Sequence, residues 1–268
     1  MSLAWTPRQR TSAAISFAAL AVGLALSGCT LPGHPKPGPE VVRPEAVLTF
    51  EPLYRQNCAA CHGADGQNGS ATDLANPEYQ ALIDDANLRD ITANGQKGSL
   101  MPGFGVSGGG MLTDAQIDVL VHGMRERWGK QNVLAGLNAP PYKAVHPGDP
   151  SHGQAVYSAG CARCHGAQGQ KPGPAGSILE GAFLSIVSPQ TLRSTVITGR
   201  PDIGQPDWRG DIPGRALTDT EVTDLVAWIT AQRPPAPGRP YPNDSQTSEL
   251  PGNHQPRPNR APPADGKK

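Results

Sequence analysis

The sequence contains Cys-Ala-Ala-Cys-His at residues 58–62 and, 103 positions later, Cys-Ala-Arg-Cys-His at residues 161–165. Each stretch has the form Cys-x-x-Cys-His, the pattern for covalent attachment of a c-type haem. Two thiols at this spacing can form thioether bonds with one porphyrin edge, and the adjacent histidine then ligates the iron through an imidazole nitrogen. The sequence therefore predicts two covalently bound haem c groups. The residues predicted to hold them are Cys58, Cys61 and His62 for haem one, and Cys161, Cys164 and His165 for haem two.

The cysteine count supports this interpretation. Four of the five cysteines lie in the two motifs, so no disulfide bond is needed to explain them. Two Cys-x-x-Cys pairs could also form a zinc site, but such a site does not call for a histidine directly after each pair. The matched pentapeptides favour haem.

The fifth cysteine, Cys29, belongs to a predicted export signal. Arg8 and Arg10 precede an apolar segment over residues 13–26 that is too short to span a bilayer comfortably. It ends in Leu-Ser-Gly-Cys, residues 26–29, which resembles a bacterial lipobox. That resemblance implies lipidation of Cys29, and acyl chains there would anchor the protein to a membrane. We expect a lipid-anchored protein of the bacterial cell envelope that faces the periplasm; an ordinary signal peptide with an incidental cysteine is the alternative.

Amino-acid composition separates the folded domains from the Pro-rich segments in the rest of the chain. The sequence has 32 glycines and 29 prolines but only 37% hydrophobic residues, so its conventional core is small. The C-terminal segment is too poor in apolar residues to offset its ordering entropy, and we predict that it is disordered. The predicted layout is a lipoprotein signal peptide (1–28), a Pro-rich tether (29–44), a first domain (45–132), a linker (133–150), a second domain (151–233) and a Pro-rich tail (234–268).

The two domains are repeats of one helical pattern. Apolar residues at helical spacing precede each motif, and a short helix is predicted over residues 88–93. Thr113 with Gln116, and Thr218 with Glu221, have the form of capping boxes that begin a last amphipathic helix in each domain. The offset between the repeats drifts only from 103 to 105 residues, which indicates a tandem duplication.

Each repeat resembles class I cytochrome c: an N-terminal helix, Cys-x-x-Cys-His, irregular loops, a Met-Pro loop and a capped C-terminal helix. The resemblance implies an all-α fold of two tandem class I cytochrome c domains with irregular Gly/Pro-rich loops. It also implies a distal methionine, and a Met/His pair raises the reduction potential of haem iron. In domain 1 the matching residue is Met101, which precedes Pro102; Met111, in a glycine-rich run, is the competitor.

Domain 2 departs from this pattern. The sixth residue after Gly95 is Met101, whereas the sixth residue after Gly199 is Gln205. An amide is a poor ligand for haem iron. We therefore expect weak ligation by Gln205, an iron without a strong distal ligand, or capture of a histidine. The candidates for capture are His146 and His152, although solvated linker histidines are the favoured interpretation of both.

A second departure concerns the crossing of the N- and C-terminal helices. In class I cytochromes c a glycine on the first helix lets an aromatic residue on the last helix approach closely. Domain 2 fits, with Gly153 and Trp228, whereas domain 1 has Phe50 and Gly123 at these positions. A volume-conserving exchange across one crossing is tolerable. We predict that Phe50 fills the space over Gly123.

The proximal histidines also need a partner for their second ring nitrogen, which is commonly a backbone carbonyl. In domain 2 we expect Pro172 or Pro174 to supply that carbonyl. Domain 1 offers no corresponding proline close to His62.

Formal net charge is zero, which argues against nucleic-acid binding. The expected function is single-electron transfer with redox proteins or a membrane respiratory complex, without enzymatic activity. The alternatives are a dihaem peroxidase and a module that binds a diatomic ligand at haem two. Asp202 and Asp207 are the only carboxylates near Gln205 that could serve a peroxidase, and we expect both to be solvated loop charges.

These assignments predict an asymmetric spectrum. The isolated protein with both haems should show the charge-transfer band of methionine-ligated ferric haem for one haem only, because Gln205 replaces the second methionine. Near-infrared absorption of the oxidised protein measures this band. Two Met-type signatures of equal weight would contradict the prediction.

Overall fold

The computed structural model describes residues 38, 41–168 and 172–234. Cys29, the predicted signal peptide, most of the predicted tether and nearly all of the predicted tail lie outside these residues. Of the described residues, those up to Ala46 belong to one compact unit, which contains a short 3-10 helix over Pro44–Ala46. Those from Val47 onward belong to a second unit, which contains both haem motifs. Within the described ranges, no helix is long and apolar enough to cross a membrane.

The second unit is helical, and its described residues contain no β-strand beyond isolated bridges. Domain 1 contains α1 (Phe50–Asn57), α2 (Ala59–His62), α3 (Pro77–Leu82), α4 (Asp85–Asn94) and α5 (Asp114–Trp128). Domain 2 contains α6 (Pro150–Gly160), α7 (Ala162–His165), α8 (Gly181–Ile186), α9 (Pro189–Thr198) and α10 (Asp219–Ala231). Short 3-10 helices cover Val106–Gly108 and Pro201–Ile203. The predicted all-α fold is confirmed.

Both predicted capping boxes are present. Thr113 accepts a hydrogen bond from the Gln116 backbone N–H at 3.3 Å, and the Gln116 side chain accepts one from the Thr113 N–H at 3.0 Å. Thr218 and Glu221 make the same exchange at 3.2 and 2.9 Å. These bonds satisfy N–H groups that the first turn of a helix leaves free, which fixes where α5 and α10 begin.

The predicted exchange at the helix crossing of domain 1 is confirmed. A Cβ atom built on Gly123 would overlap the Cδ2 and Cγ atoms of the Phe50 ring, so only glycine fits beneath that ring. In domain 2 a Cβ on Gly153 would lie 2.8 Å from the Cβ of Trp228. Both crossings therefore pack a glycine against an aromatic residue. The glycine lies on the last helix in domain 1 and on the first helix in domain 2.

Each domain has its own apolar core. The first core surrounds Tyr54, Ile117 and Leu120, and the second surrounds Tyr157, Leu225 and Ile229. The predicted linker is not a loose segment between them. Its Pro141 carbonyl accepts hydrogen bonds from Arg193 of α9 at 3.0 and 2.9 Å, and its Tyr142 carbonyl accepts one from Gln190 at 2.7 Å. The linker is thus held against domain 2.

His152 lies in the first turn of α6, where it joins α6 to α10. Its Nδ1 lies 2.7 Å from Oδ2 of Asp224, whose side chain is only 5% exposed. His146 lies in the linker, with Nε2 at 3.5 Å from Asp219 of α10. The side chains of His152 and His146 are 49% and 35% exposed, as expected of solvated histidines, but each also faces a carboxylate of α10. Capture of either by haem two would require it to leave a carboxylate of α10.

We predict that Gly123→Ala destabilises domain 1 because of its contact with Phe50. Alanine favours a helix over glycine by about 1 kcal/mol, but overpacking of a close crossing costs about 1–3 kcal/mol. The free energy of unfolding should therefore fall, as measured by denaturant titration of the haem-loaded protein followed by circular dichroism. Phe50→Ala supplies the control, because it opens space for the new methyl group. The double variant should be more stable than the two single effects added together, and strict additivity would contradict the contact.

A second prediction concerns pH. The hydrogen bond with Asp224 raises the pKa of His152 above its usual value. Because the folded-state pKa is raised, the contribution of His152 to stability is fully present below the unfolded-state pKa of about 6.5 and is lost as pH rises through the folded-state value. His152→Gln should flatten this part of the curve of unfolding free energy against pH, measured between about pH 5 and pH 8. His122→Gln, which removes an exposed histidine from α5, is the control and should leave the curve unchanged. Equal effects of the two variants would contradict the prediction.

Candidate haem sites

His62 is held at the end of α2 by its backbone and its ring. Its N–H donates to the carbonyl of Cys58 at 3.0 Å, and its Nδ1 lies 2.8 Å from the carbonyl oxygen of Thr72. Burial lowers the pKa of His62, and the positive charge of Arg200 lowers it further, although the bond with Thr72 acts in the opposite direction. A neutral imidazole whose Nδ1 donates to a carbonyl leaves Nε2 free for a metal.

His165 has the same arrangement in domain 2. Its Nδ1 lies 2.9 Å from the carbonyl oxygen of Gly176. The expectation that Pro172 or Pro174 supplies this carbonyl is therefore wrong. The reason is a backbone hydrogen bond between the loop and the motif, which sets the position of each loop carbonyl. The Ala175 N–H donates to the Cys164 carbonyl at 2.9 Å, which places the next carbonyl, that of Gly176, at the ring.

In domain 1 the loop after the motif is held in the same way, and the residue that supplies the carbonyl, Thr72, was not predicted from the sequence. The Ala71 N–H donates to the Cys61 carbonyl at 2.9 Å, and the following residue, Thr72, supplies the carbonyl for His62. The signal was present in the repeat itself, because Gly69 and Ala71 correspond to Gly173 and Ala175.

The four motif cysteines fit covalent haem attachment. All four are free thiols, and Cys58 is buried. Burial raises the pKa of the Cys58 thiol to about 12 and that of Cys161 to about 12. Burial thus favours the neutral form of these two sulfurs, and a thioether bond to haem also leaves the sulfur neutral. Haem c, when bound, supplies one-electron redox chemistry at its iron.

The loops with the predicted distal residues share one backbone hydrogen bond. The Gln96 N–H donates to the Met101 carbonyl at 3.0 Å. In domain 2 the Arg200 N–H donates to the Gln205 carbonyl at 3.1 Å, and the Gln205 N–H donates back at 3.0 Å. The two loops support the alignment of Met101 with Gln205.

Side-chain exposure separates the two methionines of domain 1. Met101 is partly buried in its loop, whereas Met111 is 91% exposed. This difference agrees with the preference for Met101. The assignments of Met101 and Gln205 as iron ligands stay predictions.

The carboxylates near Gln205 are not solvated, contrary to expectation. The Asp202 side chain is 1% exposed and forms a salt bridge with Arg200 at 2.7 Å. The Asp207 side chain is 17% exposed and forms a salt bridge with Arg209. Both carboxylates are therefore engaged with arginines, and neither is a free acid–base group.

One buried carboxyl near the second motif was not singled out from the sequence. Asp211 is 8% exposed. It lies close to the second motif, because its backbone carbonyl oxygen would be 3.4 Å from a Cβ atom built on Gly160, the residue before Cys161. Burial raises the pKa of Asp211 to about 7, and the charge of Asp207 acts in the same direction. Nothing in its sequence context distinguishes it from other loop aspartates.

Comparison with known proteins identifies a family for both domains. The family model for "Cytochrome C oxidase, cbb3-type, subunit III" matches residues 45–122 and 148–229, and each matched segment contains one haem motif. The chain is 28% identical over 198 residues to the Cbb3-type cytochrome c oxidase subunit CcoP of Azospirillum sp. (strain B510), which covers 66% of this chain and 58% of that protein.

Two further likenesses are more limited. Dihydro-heme d1 dehydrogenase of Pseudomonas aeruginosa is 33% identical over 106 residues, which covers 37% of this chain and 20% of that protein. A chain of the Kuenenia stuttgartiensis reducing HAO-like protein complex is 18% identical, with 74% of this chain and 100% of that chain covered and a TM-score of 0.43. The chain thus spans less than two thirds of the length of both curated relatives.

The family model covers more than half of the chain, in two segments that each contain a haem motif. The chain therefore belongs to the family described as cytochrome c oxidase, cbb3-type, subunit III, and it is a cytochrome c with two tandem domains that bind two covalently attached haem c groups.

Proposed function

We propose that this protein transfers single electrons in a respiratory electron-transport chain and that it does so from a membrane surface, tethered by lipid on Cys29. Its partners are redox proteins or a membrane respiratory complex on the periplasmic side. The observation that supports this most directly is the repeated proximal site, in which Thr72 and Gly176 orient His62 and His165 in the same way. Two sites of one kind in one compact unit suit stepwise passage of electrons.

The two sites have different roles in this proposal. His62 and Met101 would hold the iron of haem one, and this pair would give it the higher potential. Haem two takes His165, and Gln205 leaves its distal side without a strong ligand. Electron transfer needs ordered haem sites but no acid–base residue, and the pairing of Asp202 and Asp207 with arginines supports a carrier over a peroxidase.

The relatives support a place in a larger assembly. The matched Azospirillum protein is an oxidase subunit by its name, and the family model carries the same description. We propose that this chain likewise passes electrons to a terminal oxidase, either as a subunit or as a separate carrier.

The experiment uses the full chain with both haems and the variant Gln205→Met. The wild-type protein should take up two electrons in a reductive titration, return them to a one-electron acceptor and show no turnover with hydrogen peroxide. Its reduced form should bind carbon monoxide at haem two only. Gln205→Met should abolish carbon monoxide binding and raise the potential of haem two, because methionine sulfur suits low-spin haem iron.

Met101→Gln is the matched control, since it should open haem one to carbon monoxide in the same way. Sustained peroxide turnover by the wild-type protein, lost in Gln205→Met, would favour the peroxidase and contradict the carrier. Carbon monoxide binding that Gln205→Met leaves unchanged would contradict the assignment of Gln205 to the distal side.

A further inference from the structure

The Arg200 side chain crosses from domain 2 to domain 1. Its guanidinium donates to the carbonyl of Ala71 at 2.8 Å and to the carbonyl of Gly69 at 2.9 Å. The same group forms two hydrogen bonds with Asp202, at 2.8 and 2.7 Å. Asp202 in turn accepts from the backbone N–H of Asn68 at 2.9 Å. One ion pair thus makes three hydrogen bonds to domain 1.

All three bonds fall on the segment that orients the proximal histidine of haem one. Ala71 is followed directly by Thr72, whose carbonyl lies 2.8 Å from His62 Nδ1. Two consecutive peptide groups are therefore constrained: Arg200 binds the Ala71 carbonyl, and the ring of His62 binds the Thr72 carbonyl. A shift of these peptide groups would change the direction in which the His62 ring points.

The ion pair is also buried, so its charges act in a medium of low dielectric constant. The Arg200 side chain is 11% exposed and that of Asp202 is 1% exposed. Charges in such a position interact with a neighbouring site far more strongly than charges in water. Removal of one partner leaves the other as an uncompensated buried charge.

We propose that Arg200 is a positioning residue for haem one, acting from domain 2: it fixes the loop that orients His62, and together with Asp202 it sets the reduction potential of haem one. This rests on the proposed role of His62 as a ligand of that iron. Since the backbone of Arg200 is paired with Gln205, the loop that carries the distal residue of haem two is tied to the proximal side of haem one.

The sign of each charge effect follows from the charge of the haem. Reduction lowers the positive charge on the iron, so a nearby positive charge favours the reduced form and a nearby negative charge favours the oxidised form. Arg200→Gln leaves the Asp202 carboxylate unpaired and should lower the midpoint potential of haem one. Asp202→Asn leaves the guanidinium unpaired and should raise it. The midpoint potential of haem one in the double variant, Arg200→Gln with Asp202→Asn, should be closer to the wild-type value than in either single variant.

Arg200→Lys separates position from charge. Lysine keeps the positive charge, but its compact ammonium group cannot reproduce the planar fork that reaches both carbonyls and Asp202. The potential should therefore shift less than in Arg200→Gln, whereas the electron paramagnetic resonance g-values of haem one should move because His62 is less well oriented.

The test is a potentiometric titration of the haem-loaded full chain, with the two haems separated by their optical and electron paramagnetic resonance signals. Arg209→Gln is the matched control, because Arg209 also makes an interdomain ion pair, with Glu78 at 3.2 Å. Its side chain is 42% exposed, and its partner lies outside the loop that orients His62. Exposed pairs are screened, so this variant should leave haem one unchanged.

Equal shifts in Arg200→Gln and Arg209→Gln, or no shift in Arg200→Gln, would overturn the proposal. Should Arg200→Gln fail to load haem, Asp202→Asn and Arg200→Lys decide the matter, and an unchanged midpoint with unchanged g-values in both would overturn it. Failure of the proposed function is distinguishable, because the wild-type protein would then lack a reversible redox step at haem one.

Discussion

The hydrogen bond between each proximal histidine ring and a loop carbonyl is the constraint on which both haem sites depend. It requires the turn with the Cys-x-x-Cys-His motif and the loop after it to be held in register. Tyrosine side chains contribute, since the Tyr54 hydroxyl donates to the Gly63 carbonyl at 2.9 Å and the Tyr157 hydroxyl to the Gly166 carbonyl at 2.7 Å. Each tyrosine fixes the residue that follows a proximal histidine, so helix packing and histidine orientation are coupled.

The helix crossings explain why those tyrosines lie where they do. In domain 1 the ring of Phe50 lies over Gly123 and stacks on Tyr54 at a centroid distance of 5.3 Å. In domain 2 Tyr157 packs on Trp228 at 4.6 Å, and Gly153 provides the close approach. Two different distributions of volume thus place a tyrosine hydroxyl at the same point relative to the motif. Packing constrains the summed volume at the crossing more tightly than it constrains the helix that supplies it.

The features that could be predicted from the sequence are those set by short-range signals. The capping boxes at Thr113 and Thr218, the haem motifs and the exchange of Phe50 with Gly123 all depend on fixed spacings within one repeat, and the structure contains each element. The prediction of Pro172 or Pro174 as the source of the carbonyl for His165 is wrong because the irregular loop after the motif has no periodicity that indicates its path.

The interdomain contacts could not be predicted for a different reason. Asp202 looks like any loop carboxylate in the sequence, yet it accepts a hydrogen bond from the backbone N–H of Asn68, 134 residues away. His152 likewise gains its partner from a helix about seventy residues further along the chain. Contacts of this kind depend on how two folded domains pack against each other. No local sequence pattern predicts that packing.

The contact between the two domains also gives equivalent positions of the two distal loops different environments. Arg200 corresponds to Gln96 in the repeat, but the two side chains meet unlike partners: Arg200 binds the loop after the first haem motif, whereas Gln96 accepts from Thr191 at the start of α9. Contact between the duplicated domains is therefore heterologous, with different surfaces facing each other. In such an arrangement equivalent residues occupy different environments. A cation is stabilised at position 200 by two backbone carbonyls and Asp202, whereas position 96 faces a hydroxyl and suits a neutral amide.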